Sequence, residues 1–433
     1  MDVLSAIPGN YGWPVVGNTF RHFRDPIGFK HRMRGRYGDV YRNYVLFRKT
    51  VVLLGEDANR EVLANKRGDF SNEGGWGQFI GKLFPGGLML MDGDRHRAHR
   101  QTMNPDFTRQ RMEDYSGRIG EAAAAAVASN LPRRRIDVYP FAKHLSLEIA
   151  LDAFFGIGPD SAGRAQMIGD LSRMVAGSFS LVRAPVPGTR FAAAVKARGR
   201  MVGRLAALAE SFAGDASADH LFPRLVREAD GPGAVMSRRD VVEHMLFLVM
   251  ASHDTTASAI TSSLYFLARH PEWQARAAHE ARSGSALDAR PVAEAVVKEA
   301  LRLYPPVPEL PRTTTRDVEL FGHFVPAGTR IGISPSFTHY MDDYWVEPTR
   351  FDPGRFLPGR FDAGACKYRY VPFRGGVHHC LGFLFGLTEA RIVVSELLRR
   401  CDLGCQDIEK VRFRMFPFPH PRGGFMLDLA ACS

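Results

Sequence analysis

Only five of the 433 residues are cysteines (Cys366, Cys380, Cys401, Cys405 and Cys432). That number is too small for a disulfide scaffold, and it is odd, so a reducing, intracellular setting fits. Lysine is also scarce: of 57 basic residues, 48 are arginine and nine lysine. No run of roughly 18 apolar residues occurs, which excludes a membrane-spanning helix. The opening Met1–Gly9 lacks the basic end and apolar stretch of a signal peptide. A cytoplasmic protein without a membrane anchor is therefore expected. Internal repeats are absent, and no composition break marks a linker.

What is present is ordinary for a large core: 45% hydrophobic and 24% charged residues. The formal charge of +11 invites a nucleic-acid reading. The basic residues are spread along the chain, however, apart from Arg133–Arg135, and no nucleic-acid motif accompanies them. No nucleic-acid partner is expected. A basic face for an acidic protein partner fits better.

Residues Pro8–Pro26 read as an irregular, aromatic lead-in. Asp39–Tyr44 and Thr50–Leu54 look like a hairpin. From about Asp57 to Glu299 the texture is helical. The strongest element is a long helix from Asp240 to about His270, with Ser237 placed to cap it and Pro271 to end it. It is apolar on more than one side, so it should cross the centre of the protein. Pro291–Tyr304 is a second amphipathic helix. Strand signals return at Val318–Phe321 and Arg330–Ile333, and Leu381–Leu398 is a last helix. The tail, with Phe413, Phe416, Phe418 and Met426–Leu429, predicts a final β pair. The fold class is mainly α with a small β region, in one domain spanning 1–433. Its parts are a β-rich segment at about 37–60, a helical core at about 61–304, a meander and cysteine loop at 334–382, and the last helix and β pair at 383–433.

The sharpest feature is Phe373-Arg374-Gly375-Gly376-Val377-His378-His379-Cys380-Leu381-Gly382. Its cysteine sits at the mouth of a helix, where partial positive charge and free N–H groups stabilise a thiolate. Such a thiolate can be an axial ligand of haem iron. A plain buried cysteine, a zinc ligand with the adjacent histidines, and a Cys–His nucleophile are the competing readings. The spacing matches no zinc pattern.

The pattern Phe-x-x-Gly-x-x-x-Cys-x-Gly, at Phe373, Gly376, Cys380 and Gly382, resembles the haem-binding signature of the cytochrome P-450 family. Further motifs follow in the family's order. Glu299-Ala300-Leu301-Arg302 matches Glu-x-x-Arg, with both side chains on one helix face. Phe351–Phe356 resembles the Pro-x-Arg-Phe meander, with Gly354 where Glu is frequent. Ala251-Ser252-His253-Asp254-Thr255-Thr256 resembles the acid–threonine motif of the long helix, with Ser252 in place of the usual Gly. The resemblance implies the cytochrome P-450 fold around a buried haem b (iron protoporphyrin IX), with Cys380 as the metal ligand. It implies a buried triad of Glu299, Arg302 and Arg355, and proton relay by Asp254 and Thr255 during dioxygen reduction. Phe373, Gly376, His378 and Gly382 would shape the haem loop. His96, Arg100 and Arg312 would meet the haem propionates.

By the same resemblance the chain is a monooxygenase that hydroxylates a lipophilic small molecule. Apolar wall candidates are Met250, Ala251, Val307, Leu310 and Phe416, together with the loop Gly74–Leu90 and Phe418. The segment Ala184–Phe191, with Pro187-Gly188-Thr189, resembles branches acting on retinoids, sterols and terpenoids, so a substrate of that shape is expected. A fatty-acid hydroxylase, a peroxide-dependent peroxygenase and a haem-based ligand sensor are the alternatives. No fused reductase fits in the chain. Electrons would come from a separate ferredoxin and its NAD(P)H-dependent reductase, docking near Arg109, Arg111, Lys367 and Arg369.

Overall fold

β-branched and aromatic residues make Val40–Val45 and Arg48–Leu53 an antiparallel hairpin, in register Val40 with Leu53. A sheet grows from it, and the structure, a computed structural model, describes residues 3–180, 183–212, 219–284 and 290–431. The chain divides into two compact units. The first comprises residues 1–76, 294–380 and 412–422, the second 77–293, 381–411 and 423–433.

In the first unit the hairpin extends into a five-stranded sheet. Arg48–Leu53 pairs in parallel with Arg330–Ile333, which pairs antiparallel with Leu310–Thr314, and Phe70–Ser71 closes the edge. Val51, Leu53, Leu310, Ile331 and Ile333 are fully buried along one cluster, with Phe70 and Val371. That cluster reaches the approach to the cysteine loop through Val371. The helix Pro291–Leu303 ends before Pro305-Pro306, which cannot continue it.

The second unit is helical. Its long helix runs Arg238–Arg269, and Ser237 and Asp240 form a reciprocal capping box at its start. At 1.5 Å per residue its 32 residues span about 48 Å. From Val241 to Leu267 every residue is buried except Ala251, Ser252 and Thr255. The helices Val138–Phe155 and Phe383–Arg400 pack against it.

The tail departs from expectation. Phe413–Arg414 pairs with His420–Pro421 in the first unit. Met426–Ala431 instead joins a three-stranded sheet in the second, between Arg135–Asp137 and Cys401–Gly404. Phe413–Arg414 and Met426–Ala431 are therefore strands of different sheets. Their partners lie up to nearly 300 residues away in sequence, which a local pattern does not encode.

Candidate active site

Arg302 sits on the Pro291–Leu303 helix three residues after Glu299, and both side chains are fully buried. A buried guanidinium needs an acceptor for each of its five N–H groups. Arg302 has them. Nε and Nη2 donate to the two Glu299 oxygens at 2.7 and 2.8 Å. Nη1 donates to the carbonyls of His339 and Pro348, both at 2.7 Å, and Nη2 to that of Arg350 at 3.0 Å. Burial pushes the Glu299 carboxyl up, against the pull of Arg302. Glu299 Oε1 also accepts the Asp352 N–H at 2.9 Å. Arg355 is a looser member. Its Nε stands 3.5 Å from Glu299 Oε1, and its Nη2 donates to the Glu347 carbonyl at 3.1 Å.

This cluster is tied to the cysteine loop by a residue the sequence motifs did not reveal. His339 is fully buried. Its Nε2 accepts the Val371 N–H at 3.0 Å, so the ring proton lies on Nδ1, which donates to the Arg302 carbonyl at 2.9 Å. Burial, with Arg302 close by, holds the imidazole down at about 3, so it is neutral near pH 7. Asn59 Nδ2 donates to the Tyr368 carbonyl at 2.9 Å, and Tyr370 OH to the Lys298 carbonyl at 2.9 Å. The segment entering the loop is thus held at three points.

Within the loop the Cys380 N–H donates to the Phe373 carbonyl at 2.9 Å. Gly376 has φ +62°, and a Cβ there would lie 1.7 Å from the Leu63 carbonyl oxygen, so no other residue fits. The Cys380 side chain is half-buried. Arg374, at φ +65°, places its guanidinium 5.1 Å from the centre of the Trp76 ring. Burial lowers its pKa to about 10, and attraction to Cys380 opposes that fall. This cation favours a thiolate at Cys380. Arg374 lies inside the quoted motif, yet its role was not legible, because basic residues in loops are usually solvated.

In the second unit Asp254 is buried on the long helix. Lys143 Nζ, from the helix Val138–Phe155, donates to its Oδ1 at 2.7 Å, and Tyr139 OH to the same oxygen at 3.2 Å. His253 Nδ1 lies 3.6 Å from Oδ2. Burial opposes ionisation of Asp254, but His253 and Lys143 outweigh it and hold the carboxyl at about 2. Asp254 and Thr255 face different neighbours. Thr255 Oγ1 donates to the Ala251 carbonyl one turn back at 2.6 Å, and Ser252 Oγ to that of Val249 at 3.2 Å. Ala251, Ser252 and Thr255 share one face, and they alone interrupt the burial of the helix centre. Space is open along that face.

The remaining expected residues take varied places. His96 is buried and Arg100 half-buried on the helix Gly93–Met103 of the second unit. Arg312 is buried in the first, where Nη1 donates to the Pro311 carbonyl at 2.9 Å. Phe373 and His378 are half-buried. Gly382 is the residue before the helix Phe383–Arg400, and a Cβ there would meet nothing nearer than the Phe107 ring at 3.7 Å. This glycine leaves space rather than avoiding a clash. Met250 is buried and Val307 half-buried, while Leu310 belongs to the sheet core. Phe416 is 39% exposed and packs on Phe23, so it does not line a closed apolar wall. Thr189 caps the helix Arg190–Ser211 through the Ala192 N–H. The Gly188-Thr189 pair therefore starts a helix, whatever else it does. Among the expected docking cations, Arg111 is engaged by Asp219 and Arg369 by Glu56, whereas Arg109 and Lys367 are exposed.

These residues suit a haem. Among the described residues no three His, Cys, Asp or Glu side chains are grouped to hold a metal ion. A half-buried thiol beside a cation suits the axial position of a haem iron. Comparisons with known proteins agree. The family model described as cytochrome P-450 matches residues 7–427. A Mycobacterium tuberculosis protein named cytochrome P-450 136 is 32% identical over 413 residues, covering 92% of this chain and 82% of that one. A Mycobacterium bovis protein named cytochrome P-450 135B1 is 30% identical over 394 residues, covering 88% and 82%. The solved structure of retinoic-acid-bound cyanobacterial CYP120A1 superposes with a TM-score of 0.85 at 23% identity, covering 98% of this chain and 99% of that one.

Proposed function

The chain belongs to the cytochrome P-450 family and is a haem-thiolate monooxygenase, and from that premise we propose how its own residues serve the reaction and what it acts on. Haem b, when bound, supplies the reductive activation of dioxygen. Cys380 would ligate the iron, with Arg374 favouring its thiolate. In the first unit Phe373, Gly376 and His378 would shape the loop beside the ring and Arg312 would meet a propionate; in the second, Gly382 would leave room for the ring and His96 and Arg100 are the propionate candidates.

Putting one oxygen atom into a C–H bond and releasing the other as water consumes two protons. Asp254 and Thr255 deliver them. The observation that carries this reading is the partly exposed Lys143 bonded to the buried Asp254 carboxylate. Lys143 meets solvent at one side and Asp254 Oδ1 at the other, so the buried carboxylate is linked to water through a chain of donors. Held near 2, Asp254 stays a carboxylate near pH 7, where it accepts hydrogen bonds and orients the donors that lead toward Thr255. Thr255 Oγ1 receives the proton, by way of a water or a side-chain rotation, on the open face of the helix.

The substrate is a lipophilic small molecule of retinoid, steroid or terpenoid shape, and on the long helix it would meet Met250 and Ala251. The Pro187-Gly188-Thr189 segment supports this shape. So does the likeness in fold to a protein whose structure holds retinoic acid. Titration of the haem-loaded protein with retinoids, sterols, terpenoids and fatty acids tests it. An iron spin-state shift with an isoprenoid or steroid is expected, whereas a shift with fatty acids alone would overturn the shape assignment. Electrons come from a separate acidic ferredoxin docking near Arg109 and Lys367. Its reduction of the protein should slow as salt rises. Salt-independent transfer would remove this docking mode.

A further inference from the structure

The N-terminal part of the first unit carries a surface that the haem chemistry does not use. Trp13, Val15, Phe20 and Phe47 are 55, 74, 64 and 66% exposed. They are tied into one patch. Trp13 and Gly17 bridge to form a turn, the Asn18 N–H donates to the Tyr44 carbonyl at 2.8 Å, and the Leu46 N–H donates to Thr19 Oγ1 at 3.0 Å. These bonds place the turn bearing Val15, the short helix Thr19–Arg24 and the hairpin tip Leu46-Phe47 side by side.

Two features make this arrangement unlike ordinary surface. The first is strain. Val15, Leu46 and Phe47 have φ of 65°, 53° and 59°. A two-residue hairpin tip with both φ positive is the place for Asn-Gly, and a β-branched residue there is an outlier. Apolar side chains at these tips cost both folding stability and solubility, so neither explains them. The second is charge. Residues 3–50 hold nine Lys or Arg, two Asp and no Glu, which is seven of the chain's eleven net positive charges. Asp25 is taken by Arg32 and Asp39 by Arg34. Arg21, Arg24, Arg48 and Lys49 are exposed around the tips. Arg21 lies over the Trp13 ring at 5.0 Å and Lys49 over that of Tyr11 at 5.1 Å.

Apolar and indole tips ringed by arginine and lysine match the headgroup layer of an anionic bilayer. A second copy of the chain would have to bring the same basic face onto itself, against like-charge repulsion. We propose that this patch docks the enzyme reversibly on anionic lipid, with Trp13, Val15, Phe20 and Phe47 among the headgroups and the basic ring on lipid phosphates. No helix among the described residues is long and apolar enough to cross a membrane.

The test is sedimentation of the full-length, haem-loaded protein with vesicles. Phosphatidylcholine vesicles containing about one third phosphatidylglycerol should capture it at least about tenfold better than pure phosphatidylcholine, less so as salt rises. The variant Val15→Asn/Phe47→Asn suits the positive φ of both turns. It should keep or raise its melting temperature and keep its haem content and carbon-monoxide spectrum while losing most capture. Equal capture by both vesicles, no capture, or undiminished capture of the variant would each overturn the proposal. So would self-association that the same variant abolishes, since that assigns the patch to a second copy.

Discussion

Glu299 in the first unit and Asp254 in the second are each almost wholly buried and each meets a cation, but their surroundings differ. The Glu299 partner, Arg302, is itself fully buried, and all five of its N–H groups end on protein acceptors. Nothing in that cluster is left to exchange with solvent. The Asp254 partner, Lys143, keeps 31% of its side chain exposed, and its acid neighbours a hydroxyl residue on an open helix face. A saturated pair can only hold structure. A pair that reaches water at one end can move a proton.

Breaking the saturated pair should have the largest effect. Arg302→Ala leaves Glu299 buried without its cation, a loss of about 3–5 kcal/mol, so the variant should yield little haem-loaded protein. Arg302→Lys should rescue little, because one ammonium cannot reach five acceptors in a plane. Haem content per protein checks both, and normal loading of either would deny the cluster its structural role. Breaking the open pair should leave the fold intact and strike turnover instead. Asp254→Asn should lower dioxygen-driven turnover roughly 100-fold while thermal unfolding and peroxide-driven activity change little. An equal fall in peroxide-driven activity would point to misfolding rather than lost proton delivery.

A third carboxyl sharpens the contrast. Glu389 is fully buried on the Phe383–Arg400 helix, and among the described residues no hydrogen bond of good geometry reaches either oxygen, the Ser146 hydroxyl standing near. Burial raises its pKa from 4.5 to about 8, with Ser146 opposing. The folded state therefore holds a proton that the unfolded state releases above about 4.5. Its contribution to stability is complete below that pH and is lost as pH rises through about 8. Glu389→Gln should flatten that slope and stabilise the protein at pH 8 by about 1–3 kcal/mol, read from melting temperatures across pH. An unchanged slope would mean that Glu389 is ionised in the fold. Arg355→Ala should cost least, about 1 kcal/mol or less, because its contact with Glu299 is long. A loss as large as that of Arg302→Ala would make it a full member of the pair.

Much of this was legible in the sequence because it is local. The Ser237–Asp240 cap, the long helix, the Glu299–Arg302 spacing and the cysteine loop each lie within a few residues. His339 was not legible, because it acts by bridging Arg302 and Val371, which lie 37 and 32 residues away. Lys143 and Tyr139 were missed for the same reason: more than 100 residues separate them from Asp254. The tail strands look like one pair in the sequence because a strand's own residues do not encode its partner. The Thr189 cap shows the converse, a motif whose local job is helix initiation.

The reduced, carbon-monoxide-bound absorption spectrum tests the central assignment most directly. The red-shifted Soret band of a thiolate-ligated haem is predicted for the native protein, and its loss for Cys380→Ala. The same band in Cys380→Ala would contradict the account, because some other residue would then hold the iron.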